Sequence, residues 1–304
     1  MDTVSLVTIA RPHHWVKNVV VLLPLVFGQQ MYRADAWAAA LAAAAAFCLA
    51  SSGAYVINDI KDRVSDRAHP VKRNRPLPSG QMGTRAALIE AILFSAGAVI
   101  LAQRVSVALM GTVVVFLLLQ LMYSLFLKHV ALIDVICIAL GFVLRAAAGA
   151  IAIKVLISPW LFICMFTICL FMGFCKRYGE IVMVGDASDA EEHRPILVEY
   201  NPELLTHLIT LSAAIAVVSF LFYGLSETTV AQFGTNYIVY TLPVTVYAVF
   251  RFAMISMKGL YEGPADLIWR DRPFQAAVCV WAIMVLVIIR YGRDLSAWIH
   301  SVFY

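Results

Sequence analysis

The chain carries little charge. Only 14% of its 304 residues are Asp, Glu, Lys or Arg, whereas 62% are hydrophobic and the mean hydropathy is +0.83. Soluble domains carry roughly a quarter of charged residues, so the composition excludes an ordinary soluble domain, and so much apolar side chain excludes a disordered one. A net charge of +4 is too small for a nucleic-acid-binding domain, and no nucleic-acid partner is expected. The composition indicates a membrane protein.

Several catalytic signatures are also missing. The sequence contains no GxGxxG, GxxxxGK[ST], HExxH or GxSxG pattern, which argues against a dinucleotide enzyme, a P-loop NTPase, a zinc protease and a serine hydrolase. The six cysteines lie in apolar stretches without ligand spacing, so they predict neither a disulfide framework nor a zinc site. The adjacent His13 and His14 diverge by about 100° on a helix, which does not favour a shared metal ion.

Long uncharged runs predict membrane-spanning helices, because about 20 apolar residues of helix cross a bilayer core. Five runs have this length without charge, and four more are shorter or contain isolated charges. The nine predicted spans cover residues 16–32, 36–57, 86–103, 105–127, 130–153, 155–175, 204–226, 228–250 and 273–290. They predict an all-α, polytopic bundle that forms a single domain over residues 1–304.

The basic residues predict the orientation, since Lys and Arg are enriched on the cytoplasmic side of membrane helices. With a cytoplasmic N-terminus, the segments on that side hold 17 of the 23 Lys and Arg residues. Nine spans then place the C-terminus outside. We expect a multi-pass protein of the cell (inner) membrane whose active site faces the cytoplasm.

A row of carboxylates follows the second span. Asp59, Asp62 and Asp66 stand at i, i+3 and i+7, which places them on one face if the helix continues. Like charges this close repel each other unless a cation lies among them, and carboxylate oxygens suit Mg2+. The alternative is a solvated helix end whose aspartates pair with Lys61 and Arg63.

A basic loop adjoins this row. Lys72 and Arg75 belong to a short stretch that also holds Arg67, His69 and Arg73. Carboxylates beside such a loop suit a metal-bridged polyphosphate, because the aspartates hold the ion while Arg and Lys meet the outer oxygens. A positive-inside topology signal would explain the basic residues but not the adjoining carboxylates.

Further charged segments return to the same predicted side. Lys128 precedes a span that contains Asp134 and Arg145, which share a helix face with Arg145 about 16 Å deeper. Charges at such depth usually face a cavity or a partner, so this pair is either functional or a structural link between helices. Residues 176–180 close the sixth span, and residues 262–272 lead into the ninth.

The run from Asn58 to Asp66 resembles the NDxxDxxxD signature of the UbiA superfamily. Its members are intramembrane transferases with nine helices and a cytoplasmic polar cap that holds a diphosphate through Mg2+. Other segments resemble the superfamily members that transfer phosphoribosyl groups to decaprenyl phosphate: residues 11–18, 66–70, 141–145, 176–178 and 270–272. The second DxxxD motif of the aromatic prenyltransferases is missing, and residues 176–180 stand in its place, followed by loosely spaced Asp186 and Asp189.

The resemblance implies a transferase that moves 5-phosphoribosyl from phosphoribosyl pyrophosphate to a polyprenyl (deca- or undecaprenyl) phosphate and releases pyrophosphate, with inversion. The product would serve as an arabinose-donor lipid for the cell envelope. Mg2+ would be held by Asp59, Asp62 and Asp66. The residues expected at the substrate phosphates are Lys17, Asn58, Lys72, Arg75, Lys128, Lys176 and Arg177. Those expected to shape the ribose pocket or fix the cations are Asp134, Arg145, Tyr178 and Glu180. The expected catalytic residues are Asp59, Asp62, Lys176, Arg177 and Glu180.

Two other functions stay open. An aromatic or quinone-type prenyltransferase would use the same aspartates for a prenyl diphosphate, although the missing DxxxD motif speaks against it. A transporter or lipid-binding scaffold would also place Asp134 and Arg145 inside a bundle, but it does not explain four charged segments on one side. The sequence leaves the number of metal ions and the formation of a homo-oligomer undecided.

Overall fold

The computed structural model describes residues 7–68, 72–184, 195–259, 267–268 and 270–303. Within these ranges the chain is helical and contains no β-strand, so the predicted all-α fold is confirmed. Eight helices in the described ranges are long and apolar enough to cross a membrane. The chain divides into two compact units, Met1–Leu156 and Ile157–Tyr304. Each unit is described by itself below.

The first unit begins with a 3-10 helix, Pro12–Leu22, which leads into the short helix α1, Leu23–Phe27. Helix α2 spans Ala34–Lys61 and is followed at once by α3, Arg63–Ala68. The remaining helices are α4, Thr84–Val105, α5, Val107–Leu125, and α6, Ile133–Ala152, with short 3-10 turns at Lys72–Asn74 and Leu127–His129.

Alanine allows close packing in the first unit. The buried face of α2 presents Ala43, Ala46 and Ala50 around Phe47, and this helix packs mainly against α4 and also against α5. Small side chains let helix backbones approach each other in lipid, where the hydrophobic effect does not drive helix association. The core of the unit therefore lies along α2, the helix that ends in the aspartate row.

The predicted span over residues 16–32 takes a different form. It consists of the 3-10 helix and the five-residue helix α1 rather than one long α-helix. Pro24 lies at the start of α1 and lacks the backbone N–H that would continue a helical hydrogen-bond ladder. The chain then turns at Gly28, whose N–H donates to the Pro24 carbonyl at 2.8 Å. This segment is the reason why eight long helices, not nine, are found in the described ranges.

The second unit contains five α-helices among its described residues. Asn201 caps the second of them by accepting a hydrogen bond from the Leu204 N–H at 2.7 Å. The first helix packs against the second, and the fourth against the fifth. In chain order they are α7, Pro159–Val184, α8, Pro202–Leu225, α9, Glu227–Phe233, α10, Leu242–Ser256, and α11, Arg272–Phe303, with 3-10 turns at Pro195–Glu199 and Tyr237–Thr241.

The predicted span over residues 228–250 lies further along the chain. Helix α9 ends at Phe233 because Gly234 adopts the left-handed conformation with φ 72°, which suits glycine at the end of a helix. The membrane-length segment then runs over Tyr237–Ser256. An uncharged run thus locates a span but not the glycine that divides it.

Candidate functional site

Helices α2 and α3 position the three aspartates of the row. Although α2 ends at Lys61, backbone hydrogen bonds from Asp62 N to the Asn58 carbonyl (2.9 Å) and from Asp66 N to the Asp62 carbonyl (2.8 Å) continue the helical path. Asp59 and Asp66 are 2% and 4% exposed, and Asp62 is half-buried. The row thus places two nearly inaccessible carboxylates in the first unit.

Cations neutralise the buried carboxylates. Arg75 Nη1 donates to Asp59 Oδ1 at 3.3 Å and to Asp66 Oδ2 at 2.8 Å, so it joins the first and last members of the row. Arg11 Nη2 donates to the same Asp59 oxygen at 2.5 Å, and Lys72 Nζ lies 3.9 Å from Asp66 Oδ1. A buried charge is costly unless it is paired, so these contacts stabilise the ionised carboxylates.

Asp62 has partners of its own. Lys128 Nζ donates to Asp62 Oδ1 and lies 3.4 Å from Asn58 Oδ1. Asn58 Nδ2 in turn donates to Asp62 Oδ2 at 3.0 Å. Lys128 comes from the 3-10 turn between α5 and α6, and the fold brings it to Asp62 from 66 residues away. The structure therefore brings Asp62, Asn58 and Lys128 together. The sequence analysis assigned Asp62 to the metal and the other two residues to the substrate phosphates.

Arg11 is a site residue that the sequence analysis did not assign. It precedes the 3-10 helix with φ 51° and ψ 60°, a left-handed conformation that costs a non-glycine residue about 1–2 kcal/mol. Such strain persists only where the surroundings hold the residue. Here Arg11 pairs with Asp59, and its guanidinium carbon lies 5.3 Å from the centre of the Tyr55 ring. The three-residue spacing of Arg11, His14 and Lys17 could have pointed to Arg11 as a site residue, but only once this segment is known to be a 3-10 helix.

The aspartate row suits a hard cation without forming a closed cage for it. In the part of the chain that the structure describes, no group of three His, Cys, Asp or Glu side chains is arranged to hold a metal ion. Mg2+ does not need such a cage, because it keeps several waters and binds one or two carboxylates together with substrate phosphates. Asp59 and Asp66 each accept a hydrogen bond from Arg75 Nη1, so two hard oxygen donors lie together among cations. This donor set is compatible with Mg2+ and a polyphosphate.

Asp134 and Arg145 lie at different levels of α6. Asp134 is in the first turn and fully buried. Arg145 is 6% exposed and donates from Nε to Asn18 Oδ1 (2.7 Å), from Nη2 to Ser51 Oγ (3.2 Å) and from Nη1 to the Gly141 carbonyl (2.9 Å). The helical rise separates the two residues by about 16 Å along the axis. Arg145 thus joins the 3-10 helix to α2 and α6.

Lys17 lies beside this cluster, on the 3-10 helix next to Asn18. Its side chain is half-buried and feels the positive charges of Arg145 and Arg11. Lys17 is therefore placed in the first unit, as are the aspartates.

A second group of expected site residues lies on α7 in the second unit. Arg177, 1% exposed, donates to Glu180 Oε2, and Lys176 Nζ lies 3.5 Å from Glu180 Oε1. The spacings i,i+3 and i,i+4 bring side chains together on a helix, so one carboxylate fixes both cations. Tyr178 is half-buried on the same helix.

The residues before α11 have a structural role. Asp271 accepts a hydrogen bond from the Phe274 N–H at 2.8 Å and pairs with Arg251 through Nε (3.1 Å) and Nη2 (2.7 Å). The hydrogen bonds from Arg251 hold the pKa of Asp271 below its usual value, against the effect of burial. Among the other acidic residues noted in the sequence, Asp186, Asp189, Glu262 and Asp266 lie outside the described residues.

These features define a multi-pass helical membrane protein with buried carboxylates held among Arg and Lys side chains. Residues 21–266 match the UbiA prenyltransferase family, and the chain belongs to this family. The resemblance seen in the sequence is thereby confirmed.

Relatives with curated names cover most of the chain. A decaprenyl-phosphate phosphoribosyltransferase from Mycolicibacterium smegmatis is 32% identical over 91% of this chain and 90% of its own length. A protein of the same name from Corynebacterium glutamicum is 31% identical over 92% of this chain and 85% of its own length. Among solved structures, a UbiA homolog from Archaeoglobus fulgidus bound to GPP and Mg2+ has a TM-score of 0.70 and 18% identity, and it covers 94% of this chain and 99% of that one. At this identity the structural likeness establishes the fold.

Proposed function

We propose that this enzyme transfers 5-phosphoribosyl from phosphoribosyl pyrophosphate to a polyprenyl phosphate and releases pyrophosphate. The observation that carries the proposal is the similarity, over about nine-tenths of the chain, to relatives named for this transfer. The cation-rich carboxylate row supports it, because the donor brings a diphosphate and a 5-phosphate and the acceptor brings a phosphate of its own. A deca- or undecaprenyl acceptor and an arabinose-donor product remain part of the proposal.

Mg2+ is the metal that we propose for this site. Asp59 and Asp66 would hold it at the point where Arg75 now joins them, with Asp62 beside them. When bound, Mg2+ would neutralise charge that develops on the pyrophosphate leaving group. The chain itself contributes Arg75, Lys72 and Lys128, whose fixed positive charges stabilise the same oxygens.

The proposed reaction is a single displacement at the anomeric carbon of ribose. An oxygen of the acceptor phosphate forms a bond to this carbon while the bond to pyrophosphate breaks, and pyrophosphate leaves with the electron pair. The acceptor phosphate is already anionic, so no strong general base is needed. Direct attack on an α-configured donor gives a β-linked product, and retention of configuration would contradict this mechanism.

The remaining site residues receive roles within the same proposal. Asn58 and Lys17 would lie beside the bound phosphates. On α7, Lys176 and Arg177 would bind phosphate oxygens while Glu180 fixes both cations. The residues proposed to shape the ribose pocket or to support it are Tyr178, Asp134 and Arg145.

The membrane setting separates the two substrates. The polyprenyl tail would stay among the lipid-facing helices while its phosphate reaches the site. The soluble donor would arrive from the cytoplasm, so we propose a cytoplasmic N-terminus and an external C-terminus in the cell (inner) membrane. A single catalytic domain over residues 1–304 stays a prediction, and the formation of a homo-oligomer stays open.

One assay tests the proposed function. Purified protein with Mg2+ is given labelled phosphoribosyl pyrophosphate and a polyprenyl phosphate, and a parallel reaction contains a prenyl diphosphate and an aromatic acceptor. We expect label in the lipid fraction from the first donor only. Prenylation of the aromatic acceptor without phosphoribosyl transfer would instead establish an aromatic prenyltransferase.

A further inference from the structure

The 3-10 helix Pro12–Leu22 sorts its side chains into three sides. A 3-10 helix has three residues per turn, so residues three apart stand above one another. One side carries Trp15, Asn18 and Val21, a second carries His13, Val16 and Val19, and the third carries His14 and Lys17, with Arg11 at the residue before the helix. We call this third set the Arg11–Lys17 side.

The first side anchors the helix. Trp15 Nε1 donates to Ser52 Oγ at 3.0 Å, and Asn18 accepts from Arg145 at 2.7 Å. Val21 is fully buried, and a Cβ atom added at Gly149 would collide with its carbonyl oxygen. These contacts with α2 and α6 fix the rotation of the 3-10 helix. The directions of the other two sides are therefore fixed as well.

The second side faces outward. Val16 and Val19 are 52% and 54% exposed, and His13 is also exposed. In a membrane protein this apolar surface is suited to lipid. His13 therefore provides a natural comparison for His14, its neighbour on the Arg11–Lys17 side.

The Arg11–Lys17 side concentrates positive charge around one imidazole. The His14 ring lies 5.2 Å from the Tyr55 ring, and the Arg11 guanidinium lies over the same ring. Burial, and then the charge of Lys17, lower the pKa of His14 to about 3, with further contributions from His13, Arg11 and Arg75. At neutral pH His14 is therefore a neutral hydrogen-bonding group among cations.

Lys17 lies at the far end of this side. It follows His14 by three residues of 3-10 helix, which is about 6 Å along the axis. No ion pair of Lys17 is found within the described ranges of the chain, and the charges that act on its side chain are those of the cations Arg145 and Arg11. A half-buried ammonium among like charges is stabilised by an anion. The aspartate row is occupied with Arg11, Arg75 and Lys128, so this anion is expected to come from a ligand.

We propose that His14 and Lys17 form a second phosphate site that takes a phosphate monoester, separate from the aspartate row. Lys17 supplies the charge, and the neutral imidazole of His14 supplies a hydrogen bond. The inference rests on the proposed function, in which both substrates carry such a group: the lipid phosphate of the acceptor and the 5-phosphate of the donor. Either source has the required chemistry, and the two are told apart by binding.

Two probes with a single phosphate monoester test the site without turnover: farnesyl phosphate and ribose 5-phosphate. Their Kd values are measured calorimetrically in detergent without Mg2+ for the wild type and for Lys17→Met, His14→Ala, His14→Gln and His13→Ala. We expect Lys17→Met to weaken one of the two probes by about tenfold or more, as for loss of a charge-assisted hydrogen bond. His14→Ala should weaken the same probe, His14→Gln should restore much of the affinity, and His13→Ala should leave both unchanged.

The affected probe identifies the substrate that uses the site. Unchanged affinity for both probes in Lys17→Met and His14→Ala would overturn the proposal, as would a wild-type protein that binds neither. If Lys17→Met fails to fold, the comparison of His14→Ala with His13→Ala decides alone. A wild type that binds a probe in this way but transfers no phosphoribosyl group would refute the proposed function and leave the phosphate site intact.

Discussion

At the scale of single residues, Asp59 is a buried carboxylate that two arginines of the first unit share. Its Oδ1 accepts hydrogen bonds from both Arg11 and Arg75, although these residues lie 48 and 16 positions away in the chain. Replacing Asp59 removes one negative charge and leaves two guanidiniums without their shared partner. The effect should therefore fall on the binding of phosphates and metal together rather than on packing.

Asp59→Asn is expected to lower the turnover of phosphoribosyl transfer by about a hundredfold, the scale found when one preorganised electrostatic contact is lost. The measurement is the initial rate of label transfer at saturating Mg2+. Asp35→Asn is the matched control, because Asp35 forms an exposed pair with Arg33 at the start of the same helix. Equal rates for the two variants would contradict the role proposed for Asp59.

His14 predicts a dependence of stability on pH. Its pKa is about 3 in the folded protein and about 6.5 in the unfolded chain, so the unfolded chain binds an extra proton between these values. Stability from this residue is complete above pH 6.5 and declines as the pH falls below it.

We therefore expect the Tm of the wild type, relative to His14→Gln, to decrease on going from pH 8 to pH 5, a window that spans the unfolded-state pKa. Thermal unfolding in detergent, with His13→Gln as the exposed control, provides the measurement. A Tm difference that is the same at both pH values would show that folding does not lower the pKa of His14.

At the scale of helices, Gly234 ends α9 and so fixes where the next membrane-length segment can begin. Gly234 has φ 72°, and a Cβ atom there would collide with the side chain of Arg293. Gly111 lies within α5, and a Cβ atom there would meet nothing within 4 Å. The two residues are chemically identical, but only the first has a conformation and surroundings that require glycine.

Gly234→Ala should destabilise the protein by about 1–2 kcal/mol, the cost of a left-handed conformation for a residue with a Cβ. Gly111→Ala should instead be neutral or stabilise by up to about 1 kcal/mol, because alanine favours a helix interior. Chemical unfolding in mixed micelles measures both. Similar changes in the free energy of unfolding for the two variants would show that Gly234 does not set the end of α9.

The sequence predicted helices better than it predicted their hydrogen bonding. Long apolar runs, five of them uncharged, located eight long helices in the described ranges, because length and hydropathy are sufficient for this purpose. They did not reveal the 3-10 form of residues 12–22, since apolar residues alone do not distinguish i+3 from i+4 bonding. The spacing of Asp59 and Asp66 predicted that they would lie together, whereas Arg11 and Lys128 reach the row only through tertiary folding.

At the scale of the whole molecule, the distribution of Lys and Arg predicts which side of the membrane each segment faces. With a cytoplasmic N-terminus, the aspartate row and the turn at Lys128 both lie on the cytoplasmic side of the membrane. The ion pair between Asp62 and Lys128 requires a shared side, whichever side that is, and only the distribution of Lys and Arg predicts that it is the cytoplasmic one. The same reasoning places residue 106, between α4 and α5, on the external side.

Reporter fusions test this orientation. Alkaline phosphatase, which is active only outside the cytoplasm, should be active when fused after residue 105 or at the C-terminus. It should be inactive when fused within Leu127–His129. The reverse pattern would invert the topology and would move the proposed site away from a cytoplasmic donor.

The 3-10 helix also limits how the sequence can change in length. Deletion of one residue between Trp15 and Lys17 would turn the positions on one side of the deletion by about 120° relative to those on the other. Lys17 could then no longer stand in line with Arg11 and His14 while Asn18 kept its contact with Arg145. Substitutions on the outward side should be tolerated, whereas insertions and deletions should be tolerated only in multiples of three.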